Sequence, residues 1–212
     1  MDIKNERREY LRSGLSRQQL ATDPVEQFEH WLQEAKDHGI KDPTAMMLAT
    51  VDATGQPSQR TVLLKQFDSS GFVFYTNLES NKAKQIADNN RVSLIFPWLT
   101  MERQVMISGR AERVSTKEAL AYFVTRPRDS QLAAWVSKQS SPIGSRELLM
   151  GKFAEIKQRF AQQDLSLPKF WGGFRVVPER VEFWAGGAQR LHDRFEYLRD
   201  NEGAWNVERL QP

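Results

Sequence analysis

The chain has no cysteine and no long hydrophobic run, and each absence excludes a class of protein. Without cysteine there is no disulfide framework, no thiol nucleophile and no cysteine-based metal site, and we predict no bound metal. No apolar stretch approaches the length of a membrane span, and the charged residues 1–12 lack the apolar core of a secretory signal. We therefore predict a cytoplasmic protein that does not enter a membrane.

An excess of charge of one sign is also missing. Lys and Arg together number 30 and Asp and Glu 27, which leaves a formal net charge of +3. A small phosphorylated ligand would match this slight positive charge as well as a nucleic acid would, and we predict no nucleic-acid partner. A length of 212 residues is sufficient for one filled core. We predict a mobile N-terminal arm over residues 1–22 and a single domain over residues 23–212.

The hydrophobic pattern predicts a mainly β protein with flanking helices. After one amphipathic helix over residues 24–39, capped by Asp23, the period of the apolar residues changes to two. Strands are predicted over residues 46–51, 60–67, 71–76, 91–96, 102–114, 174–177 and 204–210, and further helices over residues 80–89, 115–126, 130–136 and 145–160. Short strands joined by tight turns favour a closed or partly closed antiparallel barrel, with a bulge or bend at Gly109.

Residues 181–197 are predicted to form a β-hairpin with its turn at Gly186 and Gly187. Because side chains alternate along a strand, Arg190, His192 and Arg194 are predicted to project from one face. Three cationic or titratable groups side by side repel one another unless an anionic or electron-rich group lies in front of them. On spacing alone, a ligand site and a solvated, charged edge strand are equally good interpretations.

Further cations lie in the predicted barrel. Arg60 and Lys65 bound an apolar strand at the margin of the core, where each favours an anion such as phosphate. Strict alternation puts them on opposite faces, so either the strand twists or bulges to serve one pocket, or the two residues bind different phosphates. Lys82 follows Ser80 in the first turn of a helix, where free N–H groups attract anions. For Lys82 alone, an exposed lysine beside an ordinary N-cap is the favoured interpretation.

A second set of phosphate-binding residue types follows the capping box at residues 115–118. Tyr122 and Arg126 are four residues apart and share a helix face, and Ser130 lies just beyond the break at Pro127. Two hydroxyls and a guanidinium suit a phosphate, and many ordinary helix surfaces have the same composition.

The sequence Glu-Phe-Trp at residues 182–184, followed by Arg-Leu-His-Asp-Arg at residues 190–194, resembles the C-terminal signature of pyridoxine/pyridoxamine 5′-phosphate oxidases. The resemblance runs in order over nearly the whole chain. It implies an antiparallel split barrel and a homodimer with FMN at the interface. It also implies oxidation of pyridoxine or pyridoxamine 5′-phosphate to pyridoxal 5′-phosphate by hydride transfer to FMN, with O2 as electron acceptor giving hydrogen peroxide.

The resemblance further implies which residues form the site. The implied FMN contacts are Arg60, Thr61, Val62, Leu63, Leu64, Lys65, Tyr75, Thr76, Asn81, Lys82, Gln104, Gln139, Ser140, Trp184 and Arg194. The implied substrate contacts are Lys65, Tyr122, Arg126, Ser130, Arg190, Leu191 and His192, with Arg7, Arg8, Glu9 and Tyr10 as a lid on the N-terminal arm. Arg190 and His192 are the implied catalytic residues: Arg190 would hold the substrate ring and favour developing negative charge, and His192 would orient the polar ring substituents.

Two positions depart from the family pattern, and several interpretations remain open. Asn81 stands where a second basic residue is frequent, and Ala185 stands where a polar residue is more usual. The N-terminal arm has the simpler interpretation of a solvated tail. Another FMN split-barrel enzyme with a different substrate, or a flavin-free module that binds RNA or DNA, would share parts of the pattern. The preference between the two phosphorylated substrates is not encoded in any motif.

Overall fold

Nine strands form one antiparallel sheet in the part of the chain that the computed structural model describes, which is residues 3–5, 9–10 and 14–212. The strands are β1 (Ala45–Val51), β2 (Pro57–Leu63), β3 (Gln66–Asp68), β4 (Gly71–Asn77), β5 (Arg91–Trp98), β6 (Arg103–Arg113), β7 (Trp171–Ala185), β8 (Asp193–Arg199) and β9 (Trp205–Leu210). The helices are α1 (Pro24–Asp37), α2 (Asn81–Asp88), α3 (Thr116–Thr125), α4 (Arg128–Val136) and α5 (Arg146–Arg159). The predicted mainly β architecture with flanking helices is confirmed.

The sheet curls into a barrel because its two end strands are consecutive in the chain. The strand order is β2-β1-β5-β6-β7-β4-β3. The Leu64 N–H donates to the Thr44 carbonyl on the β1 side at 2.9 Å, whereas the Lys65 N–H donates to the Val73 carbonyl of β4 at 2.9 Å. The single strand predicted over residues 60–67 is therefore wrong, because the chain changes neighbours at Leu64 and Lys65. This break ends the strict alternation of faces between Arg60 and Lys65.

The longest strand, β7, connects the barrel to the C-terminal strands. One edge of β7 pairs with β6, and the other edge is divided between β4, at residues 171–176, and β8, at residues 180–185. The segment predicted over 174–177 and the first strand of the predicted hairpin are thus one strand. The predicted irregularity at Gly109 is confirmed, because the register with β7 shifts there and leaves Glu179 as an extra residue beside Pro178. Proline cannot donate to a ladder, and a bulge accommodates it.

The interior of the barrel is filled by apolar side chains, and α1 covers it. Phe28 and Trp31 of α1 are almost completely buried, and the Phe28 ring lies edge-on to Phe72 and Phe96 at centroid distances of 5.0 and 4.8 Å. The Asp23 side chain accepts the Val25 N–H at 2.7 Å, which confirms the predicted N-cap. Because side chains fill the interior, a ligand site must lie outside the core.

A smaller apolar cluster lies between the helices and the start of β7. Phe123 of α3, Leu132 of α4 and Trp171 of β7 are its main members. The predicted capping box between Ser115 and Glu118 is confirmed at the start of α3. This cluster fixes α3 and α4 against the sheet. No helix among the described residues is long and apolar enough to cross a membrane.

The predicted C-terminal hairpin differs from the structure at its turn. β7 ends at Ala185 and β8 begins at Asp193, and residues 186–192 form a loop with a short 3-10 turn. Gly187 has an extended φ of −130°, and the left-handed residues are Gln189 and Arg190, with φ of 55° and 63°. A non-glycine residue with positive φ interrupts a strand. The prediction that Arg190, His192 and Arg194 share one strand face is therefore wrong.

The N-terminal segment packs on the barrel where it is described. Leu15 is 6% exposed and belongs to the main core. The interpretation of the segment as a solvated tail is therefore wrong at Leu15. The movement of residues 1–22 as an arm, and the division from residues 23–212, stay predictions.

Candidate active site

A cleft of about 930 Å³ lies between β2, β4, the first turn of α2 and the helices α3 and α4. It brings together most of the predicted site residues from segments that are far apart in the sequence. The predicted residues that line it are Arg60, Thr61, Val62, Leu63, Lys65, Tyr75, Thr76, Asn81, Lys82, Tyr122, Arg126, Ser130, Gln139 and Ser140. Leu64 is the exception within its stretch, because its side chain lies in the core.

Lys82 is buried at the first turn of α2, with 8% of its surface exposed. Its Nζ donates to Gln139 Oε1 at 3.0 Å and to Thr76 Oγ1 at 3.2 Å, and both acceptors are neutral. Burial, followed by the positive charge of Arg60, lowers the pKa of Lys82 below its ordinary value. The interpretation of Lys82 as an exposed lysine is therefore wrong. A buried ammonium group at a helix N-terminus is suited to bind an anion.

Arg60 carries the neighbouring positive charge and is also held by neutral groups. Its Nη1 donates to the Leu48 carbonyl at 3.2 Å and to Thr50 Oγ1, and its Nη2 donates to Gln85 Oε1 at 3.2 Å. Burial lowers the pKa of the Arg60 guanidinium. No carboxylate of the described residues forms an ion pair with Arg60 or Lys82. An anionic ligand would complete the partners of both cations.

The other end of the cleft combines stacked aromatic rings with Arg126. The Tyr75 ring stacks on Trp171, with centroids 5.4 Å apart, and on Tyr122, with centroids 4.2 Å apart. The Arg126 guanidinium carbon lies 4.9 Å from the centre of the Trp171 ring. Within the described chain, Arg126 Nη1 is buried without a hydrogen-bond partner, and burial lowers the pKa of this side chain. A half-buried cation with a buried, unsatisfied donor favours an anion at this end as well.

Asn81 and Ser140 meet at the rim of the cleft. The Asn81 backbone N–H, at the start of α2, donates to Ser140 Oγ at 3.2 Å. Ser140 has a left-handed backbone, with φ of 72°, which marks a constrained loop. Asn81 lines the cleft, and the group that it offers there is an uncharged amide.

Apart from the predicted lid, six further predicted residues do not line this cleft, and we name them the loop group: Gln104, Trp184, Arg190, Leu191, His192 and Arg194. Gln104 of β6 and Arg194 of β8 flank Trp184 as its partners on the two neighbouring strands. At about 3.3 Å per residue, roughly 40 Å of strand separates Trp184 from Trp171, which lines the cleft. Within one chain, the predicted site residues therefore lie in two separate places, the cleft and the loop group.

His192 is positioned by its own loop and by two aromatic rings. The Gly187 N–H donates to His192 Nδ1 at 3.2 Å, so in the neutral ring Nδ1 is the acceptor and Nε2 carries the proton. The ring centre lies 4.8 Å from that of Trp184 and 5.1 Å from that of Tyr10. Tyr10, a predicted lid residue, thus packs on His192. Glu9 is exposed, and the other two predicted lid residues, Arg7 and Arg8, lie outside the described residues.

The two arginines of the loop group have different surroundings. Arg190 is exposed on the loop. Arg194 lies in β8, where its Nε and Nη2 donate to the two carboxylate oxygens of Glu182 at 2.8 and 3.0 Å. The hydrogen bond to Glu182 raises the pKa of the Arg194 guanidinium. Because the chain itself supplies a carboxylate, the charge of Arg194 is already compensated.

Asp193 joins the N-terminal segment to the loop group. Its Oδ2 accepts the Leu15 N–H at 2.9 Å, and its Oδ1 pairs with Arg209. A Cβ atom on Gly14 would lie 2.0 Å from Asp193 Oδ2, so a larger residue there would displace the carboxylate. Gly14 therefore permits the close approach that places the segment beside His192.

Among the residues that sequence reasoning missed are one that lines the cleft and two that hold Arg60 from behind it. Trp171 lines the cleft under Arg126. Thr50 and Gln85 hold Arg60, and no motif marks either of them. Only the spacing of Gln85, three residues after Lys82 on one helix, indicates a shared face.

Comparison with known proteins gives two family matches, one for each of two consecutive regions of the chain. Residues 32–160 match the family described as "Pyridoxamine 5'-phosphate oxidase". Residues 171–212 match the "Pyridoxine 5'-phosphate oxidase C-terminal dimerisation region", which supports a homodimer. This second match contains the whole loop group except Gln104.

Individual relatives agree with these matches. The pyridoxine/pyridoxamine 5′-phosphate oxidase of Shewanella frigidimarina is 57% identical over 211 residues, which is 100% of this chain and 99% of the relative. The Escherichia coli protein of the same name (strain SMS-3-5) is 59% identical, over 99% of this chain and 96% of the relative. Among solved structures, PhzG from Burkholderia lata in complex with tetrahydrophenazine-1-carboxylic acid is 29% identical, with a TM-score of 0.87, over 92% of this chain and 95% of PhzG.

The fold extends to more distant proteins. A pyridoxamine 5′-phosphate oxidase-related, FMN-binding protein from Nostoc punctiforme superposes with a TM-score of 0.74 at 17% identity, over 91% of this chain and all of that one. This likeness confirms the split barrel. Given the matched regions and the full-length relatives, the chain belongs to the pyridoxamine 5′-phosphate oxidase family.

Proposed function

We propose that this protein is an FMN-dependent oxidase that converts pyridoxine 5′-phosphate or pyridoxamine 5′-phosphate to pyridoxal 5′-phosphate. The names of the relatives that match over essentially the full length support this activity. The observation that carries the proposal is the set of cations in one cleft, Arg60, Lys82 and Arg126, whose partners in the described chain are neutral. Two phosphorylated ligands would compensate these charges.

The phosphate of FMN is assigned to the end of the cleft that contains Arg60 and Lys82. There the two cations and the first turn of α2 provide positive charge, and Asn81 and Ser140 provide neutral donors at the rim. Burial of Lys82 keeps water away and strengthens its interaction with an anion. FMN, when bound, supplies the hydride acceptor, and O2 takes up the electrons to give hydrogen peroxide.

The phosphate of the substrate is assigned to the other end. Arg126 offers the buried Nη1 donor, and Lys65, Tyr122 and Ser130 line the same cleft. Trp171 holds the Arg126 guanidinium from its face, which fixes the direction of the remaining donors. The two phosphate-binding ends would set the separation between the bound ligands and so orient the reacting carbon.

A homodimer would bring the loop group to the cleft. In one chain the loop group lies at the end of β7 away from the cleft, and it falls within the region that matches the family's dimerisation region. Leu191 in this loop is 67% exposed, so its side chain is available to a partner. We therefore assign Gln104, Trp184 and Arg194 of one chain to the FMN, and Arg190, Leu191 and His192 to the substrate, in the cleft of its partner.

The proposed roles of the two catalytic residues follow from their chemistry. Arg190 would hold the substrate ring and stabilise negative charge that develops on it. His192, whose Nδ1 accepts the Gly187 N–H, would present a protonated Nε2 that donates to a polar ring substituent. Tyr10 packs on His192 and would hold that ring while the lid segment covers the substrate.

The decisive experiment is an anaerobic absorbance titration of the purified protein. A bound flavin should give a yellow protein, and pyridoxine 5′-phosphate should bleach the flavin band, whereas admission of air should restore it. Unphosphorylated pyridoxine at the same concentration is the matched control, and it should bleach the band far less because it offers Arg126 no phosphate.

Two other outcomes would contradict the proposal. A yellow protein that no pyridoxine or pyridoxamine 5′-phosphate bleaches would be a flavoprotein with another substrate. A colourless protein that binds no added FMN would not be a flavoprotein.

A further inference from the structure

Arg60 is held in a fixed position by a network of uncharged groups that spans two elements. Its guanidinium donates to the Leu48 carbonyl and the Thr50 hydroxyl of β1 and to the Gln85 amide oxygen of α2. Thr50 is fully buried, so this end of the network is shielded from water. The three acceptors use three of the five N–H groups of arginine and leave others for a ligand.

Gln85 is the centre of this network. Its Oε1 accepts from Arg60 Nη2 at 3.2 Å and from the Thr50 hydroxyl at 2.6 Å, and its Nε2 donates to Ser58 Oγ at 3.4 Å. These contacts orient the amide, since only its oxygen can accept from a guanidinium. Gln85 also follows Lys82 by one helical turn, so α2 carries one cleft cation and holds the other.

The neutrality of Gln85 has a consequence for binding. A carboxylate at this position would hold Arg60 at least as firmly, but it would compete with an anionic ligand for the same guanidinium. An amide orients the guanidinium and leaves its charge uncompensated. The lowered pKa of Lys82, to which the charge of Arg60 contributes, is consistent with two close cations that no carboxylate separates.

We propose that Gln85, together with Thr50, is a positioning residue that orients Arg60 toward the phosphate of FMN while leaving its charge available. The inference rests on the proposed function, because it takes FMN as the ligand at this end of the cleft. It adds two residues that do not touch the ligand themselves. Gln85 does not line the cleft, and it acts only through Arg60.

The experiment compares FMN with riboflavin, which lacks the phosphate, in titrations of flavin-free protein followed by quenching of flavin fluorescence. Gln85→Glu should weaken FMN binding by about 10- to 100-fold, the range for loss of the charge-assisted hydrogen bond between Arg60 and the phosphate. Gln85→Leu, which removes the acceptor that orients Arg60 but adds no competing charge, should weaken it by about 3- to 10-fold. Riboflavin affinity should change by less than about twofold in both variants, because the network acts on the phosphate alone.

Thermal unfolding of the flavin-free protein supplies a second readout. Gln85→Glu should raise the midpoint of the flavin-free protein, since the new carboxylate compensates Arg60 and offsets its repulsion with Lys82. If Gln85 only stabilised the fold, Gln85→Glu would instead lower the unfolding midpoint and weaken flavin binding together.

Gln59→Glu is the matched control for added charge. Gln59 precedes Arg60 on β2, is exposed and does not line the cleft, so its side chain lies on the other face of the strand. This variant should bind both flavins as the unchanged protein does.

Three results would overturn the inference. They are an equal loss of FMN and riboflavin affinity in Gln85→Glu, an effect of Gln59→Glu as large as that of Gln85→Glu, or undiminished FMN binding in both Gln85 variants. Failure of the proposed function would look different, because the unchanged protein would then bind neither flavin, or would bind FMN no more tightly than riboflavin.

Discussion

Cationic side chains are held in two different ways in the cleft and in the β7–β8 ladder. In the cleft, Arg60 contacts neutral oxygens and Arg126 lies on the Trp171 ring. In the ladder, Arg180 and Arg194 form ion pairs with the buried carboxylates of Glu196 and Glu182. The two glutamates are direct cross-strand partners, and their like charges would repel each other without the arginines.

The difference separates binding from stability. Where the chain supplies a carboxylate, a partly exposed arginine compensates a buried glutamate, and loss of one partner leaves the other without its counter-charge. Where the chain supplies only neutral acceptors, the positive charge is uncompensated until an anion binds. Removal of a ladder carboxylate should therefore act mainly on stability, and removal of a cleft cation should act mainly on ligand binding.

The largest effect is expected in the ladder, from Glu182→Leu. Glu182 is 3% exposed, and its removal breaks two charge-assisted hydrogen bonds with Arg194, so we expect the free energy of unfolding to fall by about 3 kcal/mol. Urea denaturation of the flavin-free protein measures it. Glu179→Leu, which removes a surface ion pair with Arg110, is the control and should change stability by less than about 1 kcal/mol. Equal effects of the two substitutions would show that burial of the carboxylate does not increase the contribution of the ion pair to stability.

In the cleft, Arg126→Leu should weaken substrate binding and leave the stability of the fold almost unchanged. We expect KM for pyridoxine 5′-phosphate to rise about 100-fold, because a buried, charge-assisted interaction with phosphate is lost. The free energy of unfolding should not fall by more than about 0.5 kcal/mol, since the side chain has an unsatisfied buried donor in the folded chain. Steady-state kinetics and urea denaturation measure the two quantities. A strong loss of stability with an unchanged KM would show that Arg126 stabilises the fold and does not bind the substrate phosphate.

The pH dependence sharpens the comparison at Lys82, whose pKa is lowered from 10.5 by burial and then by Arg60. Between the lowered pKa and 10.5, the unfolded chain binds more protons than the folded one, so this group makes the flavin-free protein more stable as pH rises. FMN affinity should fall over the same window, by at most about tenfold per pH unit, because phosphate binds the charged lysine. Lys82→Met should abolish both trends, and their persistence would exclude Lys82 as their source.

The smallest effect is expected from Tyr197→Phe in β8. The Tyr197 hydroxyl donates to the Ala21 carbonyl at 2.7 Å, and burial raises the pKa of Tyr197 from 10.0 to about 12. At neutral pH, loss of this bond should cost about 1 kcal/mol. Above pH 10 the unfolded tyrosine ionises before the folded one, so the unchanged protein loses stability as pH rises towards 12. The two unfolding curves should cross at about pH 11, because each pH unit in this window removes about 1.4 kcal/mol from the unchanged protein. A constant difference would show that Tyr197 does not titrate on unfolding.

Local signals in the sequence were sufficient for most elements. The cap at Asp23 and the capping box at Ser115 depend on residues close in the chain, and both are confirmed. The irregularity predicted at Gly109 is also confirmed, although its extra residue, Glu179, lies on the neighbouring strand β7. The hairpin was the main error. Two consecutive glycines are the usual turn signal, but here Gly187 is extended and the chain turns at Gln189 and Arg190.

The site shows the same division between local and long-range information. The residue types of the cleft and their family resemblance were recognised from the sequence, and all of the 60–65 stretch except Leu64 lines the cleft. The burial of Lys82 was not foreseen, because a lysine in the first turn of a helix is exposed unless another segment covers it. Gln139 covers it here, from a loop far along the chain.

The amino-acid sequence alone determined the periodicity of the strands, the helix caps and the chemical types of the binding residues, because these depend on neighbours within a few positions. Only the tertiary structure decided that the chain breaks at Leu64 and Lys65 to close the barrel. It also decided which arginines receive a carboxylate and which do not. Those partners come from distant strands and helices, and their approach depends on packing and register that no local pattern encodes.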